Sequence, residues 1–97
     1  MATYSESRAN ELAILTRDVL KELPEACGDF IQSIAFTTQP LTRYVYSGDL
    51  KLFCEYLVAE IPRYADKTAS TLTVDDFAAV TARDLRTYLQ YLDFYIQ

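Results

Sequence analysis

The sequence predicts a small all-α domain, a helical bundle of about four helices. Four observations lead to this fold class. The 97 residues suit one domain, and a composition of 51% hydrophobic and 24% charged residues is that of a globular chain. Two glycines and three prolines are too few for many short strands. Apolar residues recur every three or four positions, which is the spacing of an amphipathic helix.

Two helices are predicted in the first third of the chain. The first spans about residues 5–23, with Ser5 as its N-cap and Pro24 as its break. Its apolar residues are Leu12, Leu15, Val19 and Leu23. The second spans 24–34 and begins with proline, whose missing N–H costs little in the first turn. Its apolar residues are Cys27, Phe30, Ile31 and Ile34.

The third helix has the clearest boundaries. Thr37 or Thr38 is its predicted N-cap, Pro40 lies in the first turn, and Pro62 ends it. One apolar stripe follows from the spacing of Tyr46, Leu50, Phe53, Leu57 and Ile61. Gly48 costs about 1 kcal/mol relative to alanine within a helix. It therefore predicts the close approach of a ligand or, as the favoured explanation, of another helix.

A loop at 62–71 precedes a single helical turn anchored by Phe77. Thr81 then acts as an N-cap, with Asp84 three residues later, in a pattern close to a capping box. The fourth helix carries on one face Leu85, Tyr88, Leu89, Leu92 and Ile96. Tyr88 and Tyr95 are expected in the core. Tyr91 and Phe94 lie on other faces, where they would pack on a further helix or a neighbouring subunit.

The composition argues against catalysis within this chain. There is no histidine, so neither a Ser-His or Cys-His nucleophile nor a His-ligated metal is available. Cys27 and Cys54 are too few for a structural zinc site and are predicted to be small buried hydrophobes. No apolar run reaches the ~18 residues of a membrane span, and the first residues do not read as a signal peptide. We expect a cytoplasmic protein without cofactor, metal or membrane partner.

Two segments carry a resemblance to a known family. The first, LTRYVYSGDLKLFCEYL at 41–57, spaces its key residues as Thr-x3-Tyr-x3-Leu-x2-Phe-x3-Leu, beginning at Thr42. The second joins LTVDDF at 72–77 to VTARDLRTYL at 80–89. In order and spacing they resemble the core-binding domain of the tyrosine recombinase (phage integrase) family. That domain has a SAM-like helical fold, and the similarity covers about residues 38–92.

The resemblance implies a division of the chain. Residues 1–36 are similar to a helical extension found on some of these integrases, and 37–97 correspond to the DNA-binding core-binding domain. The family's catalytic residues belong to a separate C-terminal domain, so the tyrosines here are not expected to be nucleophiles. The core-binding domain also normally continues into a further helix. We therefore expect a fragment truncated at its C-terminus, which self-associates through its C-terminal apolar residues.

The resemblance also implies that the start of the third helix approaches DNA. A polar stripe there consists of Gln39, Arg43, Ser47 and Lys51, with Thr38 and Thr42 near the helix N-terminus. A second stripe on the fourth helix consists of Arg83, Arg86, Thr87 and Gln90. We rank it lower, because Asp84 and Asp93 lie nearby and Arg86 has acidic neighbours with which to pair. Either stripe is also explained as the solvated face of an amphipathic helix.

Two functions are consistent with these features. The first is a DNA-binding module that positions a site-specific recombinase on double-stranded DNA during integration or recombination, beside other recombinase protomers. The net charge of −5 predicts weak binding by this piece alone, with a steep salt dependence. The alternative is a non-catalytic helical module for protein–protein interaction. Its docking surface would be formed by the first two helices, over residues 5–34.

Overall fold

A computed structural model describes residues 3–95 and confirms the all-α fold class. The described chain contains five α-helices and no strand. They are α1 (Tyr4–Leu20), α2 (Glu25–Ser33), α3 (Pro40–Glu60), α4 (Val74–Ala78) and α5 (Ala82–Tyr95). The fifth arises because the single turn predicted around Phe77 forms the short helix α4. Two 3-10 turns, Pro62–Tyr64 and Ala69–Thr71, occupy the predicted loop.

The first helix begins earlier than its sequence pattern suggests. Thr3, rather than Ser5, is the N-cap of α1. The Thr3 hydroxyl accepts a hydrogen bond from the Glu6 N–H at 3.2 Å, and the Glu6 carboxylate accepts one from the Thr3 N–H at 3.4 Å. This reciprocal capping box satisfies two backbone donors at once, an arrangement that Ser5 does not form here.

Neither threonine before α3 caps that helix. Gln39 is the N-cap residue, and its side chain makes no capping hydrogen bond. The hydroxyls of Thr37 and Thr38 instead donate to the Ile34 carbonyl, at 3.3 and 2.6 Å. The predicted caps were wrong because these hydroxyls stabilise the end of α2 rather than the start of α3.

The hydrophobic core is organised around α3. Leu57 and Cys54 of that helix are fully buried, and helices α1 and α2 pack against it. The core cluster consists of Leu23, Cys27, Cys54, Tyr56, Leu57, Tyr64 and Leu72. One core therefore includes residues from both sides of the division expected at residue 36. Burial of Cys27 and Cys54 is confirmed.

Aromatic rings join α5 to α3. The ring centroid of Tyr88 lies 4.9 Å from that of Phe53 and 5.0 Å from that of Tyr56. Tyr91 also contacts Tyr56, at 4.9 Å. The expectation that Tyr91 faces away from this core was wrong, since its ring reaches α3 from the flank of the helix. Phe94 is 80% exposed. The expectations for the Tyr95 side chain and for Ile96 lie outside what the structure describes.

Gly48 is not a point of close helix contact. A Cβ built at this position would meet nothing within 4 Å, and no glycine of the described chain has a positive φ. The predicted close approach is therefore absent.

We expect Gly48→Ala to stabilise the chain by about 0.5–1 kcal/mol, because alanine restricts the unfolded backbone and meets no clash in the helix. Thermal unfolding followed by circular dichroism measures the change. The reverse substitution, Ala59→Gly at an exposed position of the same helix, should lower the melting temperature. A lower melting temperature for Gly48→Ala would show that the site is constrained after all.

Candidate nucleic-acid interface

The polar stripe predicted on α3 is interrupted by burial. Ser47 is fully buried, and its hydroxyl donates to the Tyr44 carbonyl at 2.7 Å. The expectation of a continuous exposed stripe was wrong at this residue, because position 47 lies on the side of α3 that faces the protein interior. A buried hydroxyl already bonded to its own helix has no route to a phosphate.

Arg43 is held by the connection between α2 and α3. Its guanidinium nitrogen Nη1 donates to the carbonyl oxygens of Ala35 at 2.9 Å and Thr38 at 2.5 Å, and to the Thr38 hydroxyl at 3.2 Å. Arg43, Thr38 and Thr42 are half-buried, whereas Gln39 is exposed. Arg43 therefore satisfies backbone carbonyl groups in the connection between α2 and α3.

Lys51 is neutralised by acidic neighbours. Its Nζ lies 2.6 Å from a carboxylate oxygen of Glu22, which follows α1, and 4.0 Å from Glu55. The hydrogen bond to Glu22 is the main reason that the pKa of Lys51 is raised. Two carboxylates around one ammonium leave a local excess of negative charge. This end of the α3 stripe is a poor phosphate site.

The stripe on α5 is exposed along its whole length. We call its four residues, Arg83, Arg86, Thr87 and Gln90, the α5 polar face; all four side chains are solvent-exposed. The Thr87 hydroxyl donates to the Arg83 carbonyl at 2.9 Å. Within residues 3–95, neither arginine forms an ion pair or a side-chain hydrogen bond. Helical periodicity places Arg83, Thr87 and Gln90 on the side of α5 away from Leu85, Leu89 and Leu92, whereas Arg86, three residues before Leu89, borders the leucine face.

The free arginines of α5 are unusual in this chain. Of its nine basic residues, five are in ion pairs, namely Arg8, Lys21, Lys51, Arg63 and Lys67. Arg43 is bonded to backbone carbonyls. In the described part of the chain, that leaves Arg83 and Arg86 on α5 and the isolated Arg17 on α1. Of the two stripes, the one on α5 therefore has the more exposed residues and the unpaired basic side chains.

Asp84 does not pair with the arginines of its own helix. Its carboxylate accepts from Arg63, at 2.8 Å, and from the Thr81 N–H, at 3.0 Å. The Asp84 N–H donates in turn to the Thr81 hydroxyl at 3.1 Å. The Thr81 N–H, followed by Arg63, lowers the pKa of this carboxyl. The capping box predicted here is therefore present, and the carboxylate of Asp84 is bonded to Arg63 rather than to an arginine of α5.

Hydrogen bonds to Asp76 stabilise the segment between α3 and α5. Lys67 donates to its carboxylate at 2.8 Å, and the Tyr64 hydroxyl donates to its backbone carbonyl at 2.7 Å. The same carboxylate accepts the Thr73 N–H at 2.8 Å and so caps α4. The hydrogen bond from Lys67 is the main reason that the pKa of Asp76 lies below its usual value. These bonds set where α5 starts, and hence where its polar face points.

An apolar groove of about 840 Å³ opens on the other side of α5. It lies between α3 and α5, and Phe30 of α2 also lines it. We call this surface the apolar groove; its main walls are Tyr46, Leu50 and Phe53 of α3 with Leu85 and Leu89 of α5. Nothing in the sequence pattern distinguishes it from a core stripe, since the same leucines and aromatics would serve either purpose.

The described residues provide no cluster of three His, Cys, Asp or Glu side chains able to hold a metal ion. Burial raises the pKa of Cys27 and raises that of Cys54 to about 12. Because the thiolate is the reactive form, both thiols are poor nucleophiles. Within residues 3–95, no helix has the length and apolar character needed to cross a membrane.

Protein-family models, curated proteins and solved structures were compared with this chain, and none matches it.

Proposed function

We propose that this chain is a DNA-contacting helical module of a site-specific tyrosine recombinase, which positions the recombinase on duplex DNA and performs no chemistry itself. The observation that carries the proposal is the α5 polar face, where Arg83 and Arg86 are exposed and unpaired. The motif resemblance supplies the class of protein, and α5 supplies the contact.

The residue types on this face suit a nucleic-acid backbone. Guanidinium groups bind phosphate oxygens through two parallel N–H donors, and hydroxyl and amide side chains such as Thr87 and Gln90 add further hydrogen bonds. The four residues span about 10 Å along the helix axis. That length covers one or two phosphates of each strand rather than a long base sequence. Contacts of this kind orient a protein on DNA more than they select a sequence.

Charge predicts that the contact is weak. The chain carries a net charge of −5, so its overall field repels DNA while the α5 polar face attracts it locally. Two phosphate contacts release about two counterions, which corresponds to a slope near −2 in log K against log salt. This slope is shallow compared with that of proteins making many phosphate contacts, and it replaces the steep salt dependence expected from the sequence. We infer that other parts of a full recombinase add most of the affinity.

We expect the double substitution Arg83→Gln and Arg86→Gln to weaken binding to a short mixed-sequence duplex by about tenfold or more, with the salt slope falling by about 1 per arginine. Glutamine preserves helix propensity, so the change isolates the charge. Fluorescence anisotropy titrations at low and moderate salt give both quantities.

The matched control is Arg17→Gln, which removes an equally unpaired and exposed arginine from α1. Its affinity for the duplex should stay close to that of the unsubstituted chain. If the double α5 variant binds as tightly as the control, or if the control loses as much per arginine, the α5 polar face is not the DNA contact.

A second candidate function, a helical protein-interaction module, is favoured by the apolar groove. The docking surface expected on the first two helices is partly buried within the fold. The buried residues there are Leu12, Leu23, Cys27 and Ile31. The groove between α3 and α5 instead leaves large apolar side chains in contact with water. An interaction module would use that surface, which Arg86 borders and Arg83 faces away from.

A further inference from the structure

We propose that a second cleft, on the flank of α5 away from the apolar groove, binds a guanidinium group such as that of an arginine side chain. We call it the Glu60 cleft; its walls are Tyr56 and Glu60 of α3 with Gln90, Tyr91 and Phe94 of α5. Its volume of about 410 Å³ is within the range of ligand pockets. The proposal does not rest on DNA binding, since it uses neither arginine of the α5 polar face.

One residue lining the cleft carries a polar atom without a partner. Tyr56 is only 3% exposed, and its hydroxyl forms no hydrogen bond within the described residues. Buried polar atoms in proteins are nearly always hydrogen-bonded, so an exception calls for an explanation. An N–H donor bound in the cleft would give the hydroxyl oxygen its missing bond. The Tyr56 hydroxyl therefore favours a ligand with N–H groups over a wholly apolar one.

The charge around the cleft is negative. Glu60 is exposed and forms no ion pair within residues 3–95. It ends α3, whose last turn contains no basic residue, and a carboxylate is unfavourable at this negative end of the helix macrodipole. Burial raises the pKa of Tyr56, and the nearby carboxylates of Glu60 and Asp84 raise it further. Because Asp84 is paired with Arg63, Glu60 is the carboxylate left to bind a cation.

Aromatic rings in the cleft narrow the kind of cation. The ring of Tyr91 lies 4.9 Å from that of Tyr56, and Phe94, which also lines the cleft, is 80% exposed. Cations bind over the faces of such rings. A guanidinium group stacks on a ring and binds a carboxylate through two N–H donors, whereas an ammonium group is a compact and strongly hydrated charge. A quaternary ammonium ion has no N–H for Tyr56. Carboxylate, rings and hydroxyl together therefore match guanidinium best.

Titration of the isotopically labelled chain with N-acetylargininamide, followed by amide chemical shifts, tests the proposal. We expect saturable changes concentrated over residues 56–61 and 87–94, with a dissociation constant on the order of 1 mM because few contacts are made. N-acetylcitrullinamide has the same shape but a neutral urea group, and should bind at least about fivefold more weakly. No saturable change with the arginine compound, or equal binding of the two compounds, would overturn the proposal.

Glu60→Gln should weaken binding of N-acetylargininamide by about fivefold, because it removes the charge and keeps the shape of the side chain. The matched control is Glu25→Gln. Glu25 is an exposed glutamate of α2 that likewise forms no ion pair in the described part of the chain and does not line the cleft. Circular dichroism verifies that both variants keep their helices. Equal affinities of the two variants would overturn the proposal.

A blocked tripeptide with a central arginine distinguishes the two sources of a guanidinium group. Tighter binding of the tripeptide than of N-acetylargininamide would support the proposal with an arginine side chain of a partner protein as the ligand. Equal binding would support it with a free guanidinium compound as the ligand.

Tyr56→Phe separates the hydrogen bond from the charge. It should weaken binding of N-acetylargininamide by about threefold or more and leave binding of tetramethylammonium unchanged, since that ion has no N–H donor. The same titrations measure both affinities. An equal effect of Tyr56→Phe on the two cations, or tighter binding of tetramethylammonium to the unsubstituted chain, would overturn the assignment of a guanidinium ligand.

Discussion

Replacing Leu57 with alanine should destabilise the chain by about 2–5 kcal/mol, the range for removing a fully buried leucine from a packed core. Leu57 has no exposed surface and belongs to the core cluster together with Cys54, Tyr64 and Leu72. That cluster connects α3 with the end of α1, with α2 and with the 3-10 turns. Truncation at its centre removes packing contacts from several elements at once.

Leu41→Ala is the control for this large effect. Leu41 lies on the same helix and is 54% exposed, so the same truncation there should cost less than about 1 kcal/mol. Urea denaturation gives both free energies of unfolding by linear extrapolation. Similar losses for the two variants would mean that α3 is not the centre of the core.

Two tyrosine-to-phenylalanine substitutions should have opposite signs. The Tyr64 hydroxyl donates to the Asp76 carbonyl at 2.7 Å and accepts from Arg63 at 3.0 Å. Tyr64→Phe removes both bonds and should cost about 1–3 kcal/mol, because it leaves polar partners without their hydrogen bonds. The Tyr56 hydroxyl, by contrast, is buried without a hydrogen-bond partner within the described residues.

Tyr56→Phe should therefore be neutral or stabilising by up to about 1 kcal/mol, since it deletes a buried hydroxyl that has no bond to lose. Both residues are almost fully buried, so each serves as the size-matched control for the other. Thermal and urea unfolding of the pair measure the difference. A larger loss for Tyr56→Phe than for Tyr64→Phe would show that the hydrogen bonds described around Asp76 do not stabilise the fold.

Helix content and order could be predicted from the sequence because they depend on local patterns. Apolar spacing placed α3, and Thr81 with Asp84 correctly indicated the capping box before α5. The N-cap predictions failed where one local pattern allowed more than one arrangement of hydrogen bonds. Thr3 and Ser5 are both good N-caps, and only the reach of Glu6 decides between them. Thr37 and Thr38 likewise lie where their hydroxyls can bond either to the end of α2 or to the start of α3.

The sequence could not show which of the two polar stripes has unpaired basic side chains, because the pairing depends on residues that are distant in the sequence. Lys51 is neutralised by Glu22, which lies 29 positions away. Arg86 finds no partner in Asp84, because the two lie on different sides of α5 and Asp84 instead binds Arg63 from the loop after α3. Ion pairs between elements follow from tertiary packing, and helical periodicity carries no information about them. The same reasoning explains why the apolar groove was indistinguishable from core.

The most direct test of the proposed DNA contact is an amide chemical-shift map. A short duplex is titrated into the isotopically labelled chain at low salt, and shifts are followed residue by residue. We predict that the largest changes occur over residues 83–90, on the α5 polar face, and reverse when salt is raised. Largest changes over residues 39–51 of α3, or no change at a DNA excess that saturates anisotropy, would contradict the proposal.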